Sequence, residues 1–283
     1  MGTEGIYIGH TCSEWVHHMI DMAYPRAKLE HRYNLDGHLC LSEVDERIAN
    51  QLGGSLLYGE VLPSGVAKLC DETHLLVEQA KIVYDFGAGT GKLCVQCFFQ
   101  YPHLDKVVAV EISPSRYKLG VAAWRRLAKL RGFALIADND FECVLLETRH
   151  GRRRTLEFKC CDVFDSLDHT SRLAAGDKGY VQAAEIIFLN TDFPDMCTPN
   201  LCRLFRAMRN GQRCATYSDV RKPYAKYAKD TNAPPAQAKF PLVQLSDNVH
   251  PDDRFATSWS KDMGHHFYCF VKGAMPTTQI KKK

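Results

Sequence analysis

The stretch from Lys81 to Glu111 constrains the chain most. It reads Lys81-Ile-Val-Tyr-Asp-Phe-Gly-Ala-Gly-Thr-Gly91, then a helical run, then Val107-Val-Ala-Val-Glu111. A strand, a glycine turn, a helix and a second strand ending in an acid make half of a nucleotide-binding βαβ unit. The glycines fall at Gly87, Gly89 and Gly91, spaced G-x-G-x-G. Lacking a Cβ, they permit a tight turn and let a ligand approach the backbone. Glu111 lies 20 positions beyond Gly91, at the end of the second strand, where an acid accepts hydrogen bonds from ribose hydroxyls. A ribose-bearing cofactor is the first expectation.

Other glycine loops fit less well. A P-loop requires Gly-Lys-Ser/Thr, and here Leu93 follows Gly91-Lys92, with Phe86 where the first glycine belongs. Asp85-Phe86-Gly87 spells the kinase metal triplet, but no His-Arg-Asp or Val-Ala-Ile-Lys accompanies it. A dinucleotide pyrophosphate sits best where the third glycine comes one position later. S-adenosylmethionine has a ribose and an adenine but no phosphate, and tolerates this variant. The loop favours a methyl donor over a dinucleotide.

With 283 residues, 45% hydrophobic and 24% charged, the chain has the make-up of one large globular domain, or one domain with an appendage. A net charge of +3 says nothing about partners. The 12 cysteines are scattered and follow no secretory signal, which points to free thiols in a reducing compartment. Cys94-x-x-Cys97 has no second pair at zinc spacing, so no metal is expected. No apolar run approaches 18 residues, so no membrane span is expected.

In chain order, residues 1–54 read as a small helical appendage, with helices over 13–22 and over Ser42–Leu52, Ser42 capping the second. Tyr58-Gly59-Glu60-Val61 is a loop, followed by a helix through Leu75. Ser113 and Pro114 open a helix reaching Gly132, with Leu119, Ala122, Ala123 and Leu127 as its buried stripe and a basic solvated remainder that includes Arg116. Residues 142–162 form a hairpin whose tip, Arg149 to Arg154, is an exposed basic finger suited either to solvent or to phosphates. Asp162 and Val163 follow its second arm, and an acid at the carboxyl end of a parallel strand lies at the cofactor crevice. Ala183–Leu189 is a buried strand ending in Asn190-Thr191-Asp192-Phe193-Pro194. A helix over Thr198–Arg209, a strand over Arg213–Tyr217, an irregular basic segment over 221–241 and two closing strands complete the pattern, with an exposed Trp259 between the last two.

Strands alternating with helices predict a Rossmann-like α/β sandwich. Tyr58-Gly59-Glu60, the loop Asp85–Gly91, the run Ile187–Phe193 and Ser258-Trp259 with Phe267 and Tyr268, in this order, resemble the disruptor-of-telomeric-silencing family of non-SET histone H3 lysine methyltransferases. The resemblance covers about residues 55–272. It implies the class I methyltransferase sandwich: a seven-stranded, mostly parallel sheet with a terminal antiparallel strand over residues 55–275, and a basic tail over 276–283. It also implies methyl transfer from S-adenosylmethionine to a lysine of the histone core by direct in-line displacement, in a nuclear, monomeric protein that meets nucleosomal DNA through its basic segments.

By position, the resemblance assigns Tyr58, Glu60 and Val61 to the loop over the methionine moiety, and Asp85, Gly87, Gly89, Gly91 and Lys92 to the cofactor loop. Glu111 would hold the ribose, and Asp162 with Val163 the adenine. Asn190 would sit beside the methyl group, and Phe188, Trp259 and Phe267 or Tyr268 would wall a lysine channel. The family usually has a second Asn where Thr191 stands and often a Gln where Lys92 stands. Two alternatives stay open: an amino-methyltransferase of nucleic-acid bases, since Asn190-Thr-Asp-Phe193 partly matches Asn-Pro-Pro-Tyr, and a non-catalytic chromatin-binding module.

Overall fold

Strand β1 (Ile82–Phe86) is buried on both faces, as an unbroken apolar run demands of an interior parallel strand. The computed structural model describes residues 12–25, 33–52, 56–164, 180–246 and 254–273. In it β1 lies between β2 (Lys106–Glu111) and β6 (Ile186–Leu189), parallel to both. The parallel block extends outward to β5 (Arg152–Cys160) beside β2 and to β7 (Arg213–Thr216) beside β6. Antiparallel strands close both sides: β11 (Tyr268–Lys272) and β8 (Leu242–Gln244) beyond β7, and β4 (Glu142–Arg149) and β3 (Ala134–Asp138) beyond β5.

The sheet order is therefore β3-β4-β5-β2-β1-β6-β7-β11-β8. It is the expected Rossmann-like sandwich, but with nine strands instead of seven. Beyond the seven lie β4, the first arm of the expected hairpin, and β3, which was not expected. Strand β3 escapes pattern reading because its edge position leaves Leu135 and Ile136 exposed, so no inward-outward alternation marks it. Strands β9 (Arg254–Thr257) and β10 (Ser260–His266) form a separate two-stranded ribbon.

Two apolar layers flank the sheet. Successive residues of β2 alternate between them, Val107 and Ala109 into one and Val108 and Val110 into the other. The first layer holds helices α4 (Pro63–Leu69), α5 (Lys92–Gln100) and α6 (Pro114–Arg131). Between β5 and β6 the chain adds α7 (Tyr180–Ala183), and between β6 and β11 it adds α8 (Thr198–Ala207), α9 (Arg221–Asp230) and α10 (Pro235–Ala238). The second layer takes its side chains from α8 and α9. Helix α1 (Glu14–Ala23) belongs to the first layer through Val16, Met19, Ile20 and Ala23, and α2 (Leu35–Leu39) and α3 (Glu43–Leu52) follow it. None of the described helices is long and apolar enough to cross a membrane, and the described residues contain no His/Cys/Asp/Glu group able to hold a metal.

Several local expectations are corrected. The helix after Pro63 stops at Leu69, and Leu76 (φ 54°) turns the chain back toward β1. In α6 the buried face is Tyr117, Val121, Trp124 and Leu127, while Leu119 and Ala122 are only half-buried. Arg116 is buried, not solvated. Helix α8 ends at Ala207, and Gly211 (φ 87°) makes the turn into β7. Residues 221–230, expected as irregular, are helix α9: Pro223 lies in its first turn, where proline is tolerated, and Tyr224 and Ala228 bury one face.

The basic finger is also smaller than expected. Strands β4 and β5 run to Arg149 and Arg152, leaving a two-residue turn, His150 (φ 50°) and Gly151 (φ 76°), whose positive φ values suit the twist of the hairpin. Arg152 donates to the carbonyls of Pro102 and His103 and pairs with Asp105. Arg154 is buried, stacks on Phe98 at 4.0 Å, donates to the carbonyls of Phe98 and Leu104, and pairs with Glu147 at 3.1 Å. Only Arg149 and Arg153 remain exposed at the tip without such contacts. Removing Arg154 strands Glu147 and two carbonyls. Arg154→Ala is expected to cost about 3 kcal/mol, and Arg153→Ala under about 0.5 kcal/mol, by chemical denaturation.

Candidate functional site

The order of strands reverses between β1 and β6, and in such sheets the ligand crevice opens at the carboxyl ends of the strands flanking that point. A cavity of about 470 Å³ lies there. Gly87 reaches it after β1, Glu111 and Ser113 after β2, Asp162 and Val163 after β5, Asn190 after β6 and Tyr217 after β7. Tyr58 and Trp259 come in from loops outside the parallel block.

Glu111 ties this edge together. Its carboxylate accepts from the Gly89 amide at 2.7 Å and from the Ser113 amide at 2.9 Å. Burial raises its pKa, and Arg116 and the backbone amides offset part of that rise. Each carboxylate oxygen keeps a second lone pair, so ribose hydroxyls could still donate to it. Asp85, at the foot of the glycine loop, is buried, and its Oδ1 has no hydrogen-bond partner among the described residues. Burial, then the charges of Glu111 and Glu60, push its carboxyl up to about 8. Asn190 likewise keeps a buried, unpartnered Oδ1 on the cavity wall. Buried oxygens without donors are costly and call for a partner.

The cofactor that the glycine loop favours fits these groups. S-adenosylmethionine carries ribose hydroxyls for Glu111 on the cavity wall, and an ammonium whose charge complements the Asp85 carboxyl buried just beneath Gly87. Gly89 (φ 58°) has no room for a side chain, since a Cβ would stand 2.4 Å from the Tyr58 ring. Asp162 borders the cavity with Oδ1 accepting from the Phe164 amide at 2.9 Å.

The Tyr58–Glu60 loop is built differently from the expectation. Lys92 Nζ lies 2.8 and 2.9 Å from the two carboxylate oxygens of Glu60. Glu60 also accepts from the Tyr58 and Thr90 hydroxyls. The ammonium of Lys92 sits 4.9 Å from the Tyr24 ring and 5.0 Å from the Tyr33 ring. Neither Glu60 nor Lys92 borders the cavity: they pin the loop to the glycine turn from behind. The other edge of the loop is fixed to the ribbon, with Glu60 N donating to Ser258 Oγ and Leu62 N to the Ala256 carbonyl. Trp259 then lies flat against Gly59, where a Cβ would come within 2.2 Å of its ring.

Of the expected site residues, Tyr58, Gly87, Glu111, Asp162, Val163, Asn190 and Trp259 line the cavity. Glu60, Val61, Asp85, Gly89, Gly91 and Lys92 stand behind that wall. Phe188 and Phe267 are fully buried in the first apolar layer, away from the cavity, because their strand positions point them into the core. Tyr268 packs against the second layer. The aromatic group beside the acceptor end is instead Tyr217, Trp259 and His265. His265 stacks on Tyr217 at 4.4 Å, and its Nε2 lies 3.1 Å from the Tyr217 carbonyl. Burial lowers the His265 pKa, favouring a neutral ring. Tyr217 could have been found as the end of a strand in the parallel block.

Asp45, Ile48, Ala49 and Leu52 of α3 and Arg116 of α6 also line the cavity, although none of them was expected at the site. Arg116 lies 4.4 Å over the Tyr58 ring and donates to the Leu56 carbonyl at 2.8 Å.

No protein-family model and no curated protein sequence matches the chain. Among solved structures, it is similar to a putative O-methyltransferase from Klebsiella pneumoniae (14% identity, 86% of this chain and 96% of that one, TM-score 0.44). An O-methyltransferase from Bacillus cereus in complex with SAH aligns at 15% identity over 86% and 96% of the two chains, TM-score 0.43. Trm1 from Pyrococcus horikoshii with S-adenosyl-L-methionine aligns at 16% identity over 74% and 54%, TM-score 0.41. With TM-scores below 0.5, these likenesses say nothing of this chain's substrate.

The Asp85 carboxyl gives the site a pH signature. Unfolded, it ionises near the ordinary 3.8; folded, at about 8. Between these values the folded state holds the extra proton, so stability falls as pH rises through the window. Asp85→Asn removes this titration. Its thermal midpoint relative to wild type is expected to be higher at pH 8 than at pH 5; an unchanged gap would contradict the buried neutral carboxyl.

Proposed function

We propose that the protein is an S-adenosylmethionine-dependent amino-methyltransferase whose acceptor is a lysine side chain of the histone H3 core in nucleosomes. The observation that carries this reading is the pair of buried, unpartnered oxygens, Asp85 Oδ1 in β1 and Asn190 Oδ1 just past the end of β6, at the switch point beside Glu111. One suits the ammonium of the methyl donor, the other an acceptor amine. Bound in this crevice, S-adenosylmethionine supplies a methyl group already activated on sulfonium.

The chain's own residues then align and desolvate the acceptor. Tyr217 and Trp259, backed by His265, present aromatic surface to the cavity that Asn190 lines. An apolar surround disfavours the charged ammonium and releases the neutral amine that can attack. The Asn190 carbonyl oxygen accepts a hydrogen bond from that amine and fixes its direction, so no strong base is needed. The aromatic wall favours an amine on a flexible side chain.

The nucleosomal partner rests on the exposed cations, Arg149 and Arg153 on the hairpin and Lys222, Lys226 and Lys229 on α9, which suit DNA phosphates. The basic tail at 281–283 lies outside the described residues. On this reading the protein works as a monomer in the nucleus.

Incubation with labelled S-adenosylmethionine and either nucleosomes, free histones or RNA tests it. Label is expected on histone H3 in nucleosomes; label on RNA alone would move the acceptor to a nucleic-acid base, and no label anywhere would remove the catalytic reading. Asn190→Ala is expected to lower turnover about 100-fold with little change in cofactor affinity. An equal loss of both would contradict the role given to its side chain.

A further inference from the structure

Helix α3 is amphipathic, yet its apolar face packs into neither core layer. Ile48, Ala49 and Leu52 share one face with Asp45 and are half-buried, while Glu43, Val44, Glu46, Arg47, Asn50 and Gln51 face solvent. Both apolar layers lack Ile48, Ala49 and Leu52, and the surface they present to the interior is the cavity wall. A helix holds such a stripe against water only when something apolar covers it.

What docks α3 is polar. The Asp45 carboxylate closes its own helix start by accepting from the Ser42 amide at 2.8 Å, and it also accepts from the Ser113 and Ser115 hydroxyls at the start of α6. One anion thus serves two helix amino ends, where the dipoles favour it. Burial would raise this carboxyl, but the hydroxyls of Ser113, Ser115 and Ser42 hold it well below the ordinary carboxylate range, so it stays charged. From Asp45 a continuous chain of hydrogen bonds runs through Ser113 to Glu111 and on to Gly89. The helix is therefore fixed to the β2 side of the switch point, beside the ribose acid. The acceptor end, with Asn190, Tyr217 and Trp259, is on the β6 and β7 side.

We infer that α3 is the aliphatic wall of the nucleoside subsite: Ile48, Ala49 and Leu52 cover the flat face of the cofactor's base, and Asp45 is the positioning residue that sets the wall. This rests on the cofactor reading above. The base is the occupant because Ile112 and Val163, next to the ribose acid and the Asp162 carboxylate, line the same cavity as the α3 stripe, and a planar heteroaromatic ring among aliphatic side chains buries apolar area.

The experiment measures binding to the full chain by calorimetry, with two probes: S-adenosylhomocysteine and 5′-methylthioadenosine, which has the nucleoside but no amino acid. The double variant Ile48→Ser/Leu52→Ser is expected to weaken both by a similar factor, about tenfold or more. Asp45→Ala should weaken both while hydrogen exchange over residues 43–52 speeds up. Val44→Ser, on the outer face, should leave affinity unchanged, and thermal unfolding without ligand checks that each variant folds. If wild type binds neither probe, the cofactor reading itself fails. If wild type binds and the double variant binds equally well, or loses only S-adenosylhomocysteine, the wall does not hold the base and the inference is overturned.

Discussion

The ion pair between Lys92 and Glu60 sits where four parts of the chain, far apart in sequence, are joined. Both side chains are almost fully removed from water. Charges taken out of water recover their solvation only when geometry and further hydrogen bonds are good, and removing one partner alone typically costs about 3–5 kcal/mol. Here Glu60 is saturated by Lys92, Thr90 and Tyr58, and Lys92 is roofed by Tyr24 and Tyr33. Tyr24 in turn donates to the Thr90 carbonyl and accepts from Trp124 Nε1. The amino-terminal helices, the Tyr58–Glu60 loop, the glycine turn and α6 are thus held by one buried network. The glycine turn, with its positive φ values, is packed from outside by this network.

The same crowding explains the electrostatics of the crevice. Asp85 and Glu111 are both buried, and Asp85 also feels the charge of Glu60. Glu60 has a dedicated cation, and Glu111 has two amides and the nearby Arg116. Asp85 is left with a weak thiol contact from Cys94 at 3.9 Å. An acid held at high pKa by its neighbours gains most from an added cation, because the ligand removes the burial penalty and the repulsion together. A cationic ligand at the foot of the glycine loop is favoured over a pyrophosphate on these grounds alone, which is the same choice the glycine spacing makes.

What the sequence made legible were the features with strong local rules. Buried parallel strands read as apolar runs, so β1, β2, β6 and β7 lie where the pattern puts them. Gly89 needs a positive φ and a bare Cα, and Glu111 sits at a fixed distance after it. Side-chain direction is less legible. Phe188 and Phe267 match a motif by position, but strand pleating turns them into the core, whereas Tyr217 at a strand end reaches the cavity. Glu60 also matches by position and Lys92 stands where the family often has a Gln, but the two satisfy each other and do not touch the cavity. Helix α9 was hidden because Pro223 and a lysine-rich composition look irregular; only the spacing of Tyr224 and Ala228 reveals its buried face.

Helix α3 shows why the amino-terminal half is the hardest part to read. Its pattern is that of a surface helix, and its apolar face is too short to specify a partner. The partner is not a layer of the core but a cavity whose walls include Glu111, Val163 and Asn190, all more than 50 residues away in the chain. Two anchors hold the amino-terminal segment there, Asp45 of α3 on the start of α6 and, through Tyr24 and Tyr33 ahead of α3, Lys92 on the glycine turn. Both anchors are charged groups made tolerable by burial among specific donors or rings, so the packing is selective: a shift of α3 along α6 would leave Asp45 charged and without its serine hydroxyls. The crevice is consequently a joint product of the sandwich and the segment before it, and the glycine loop supplies only one of its walls.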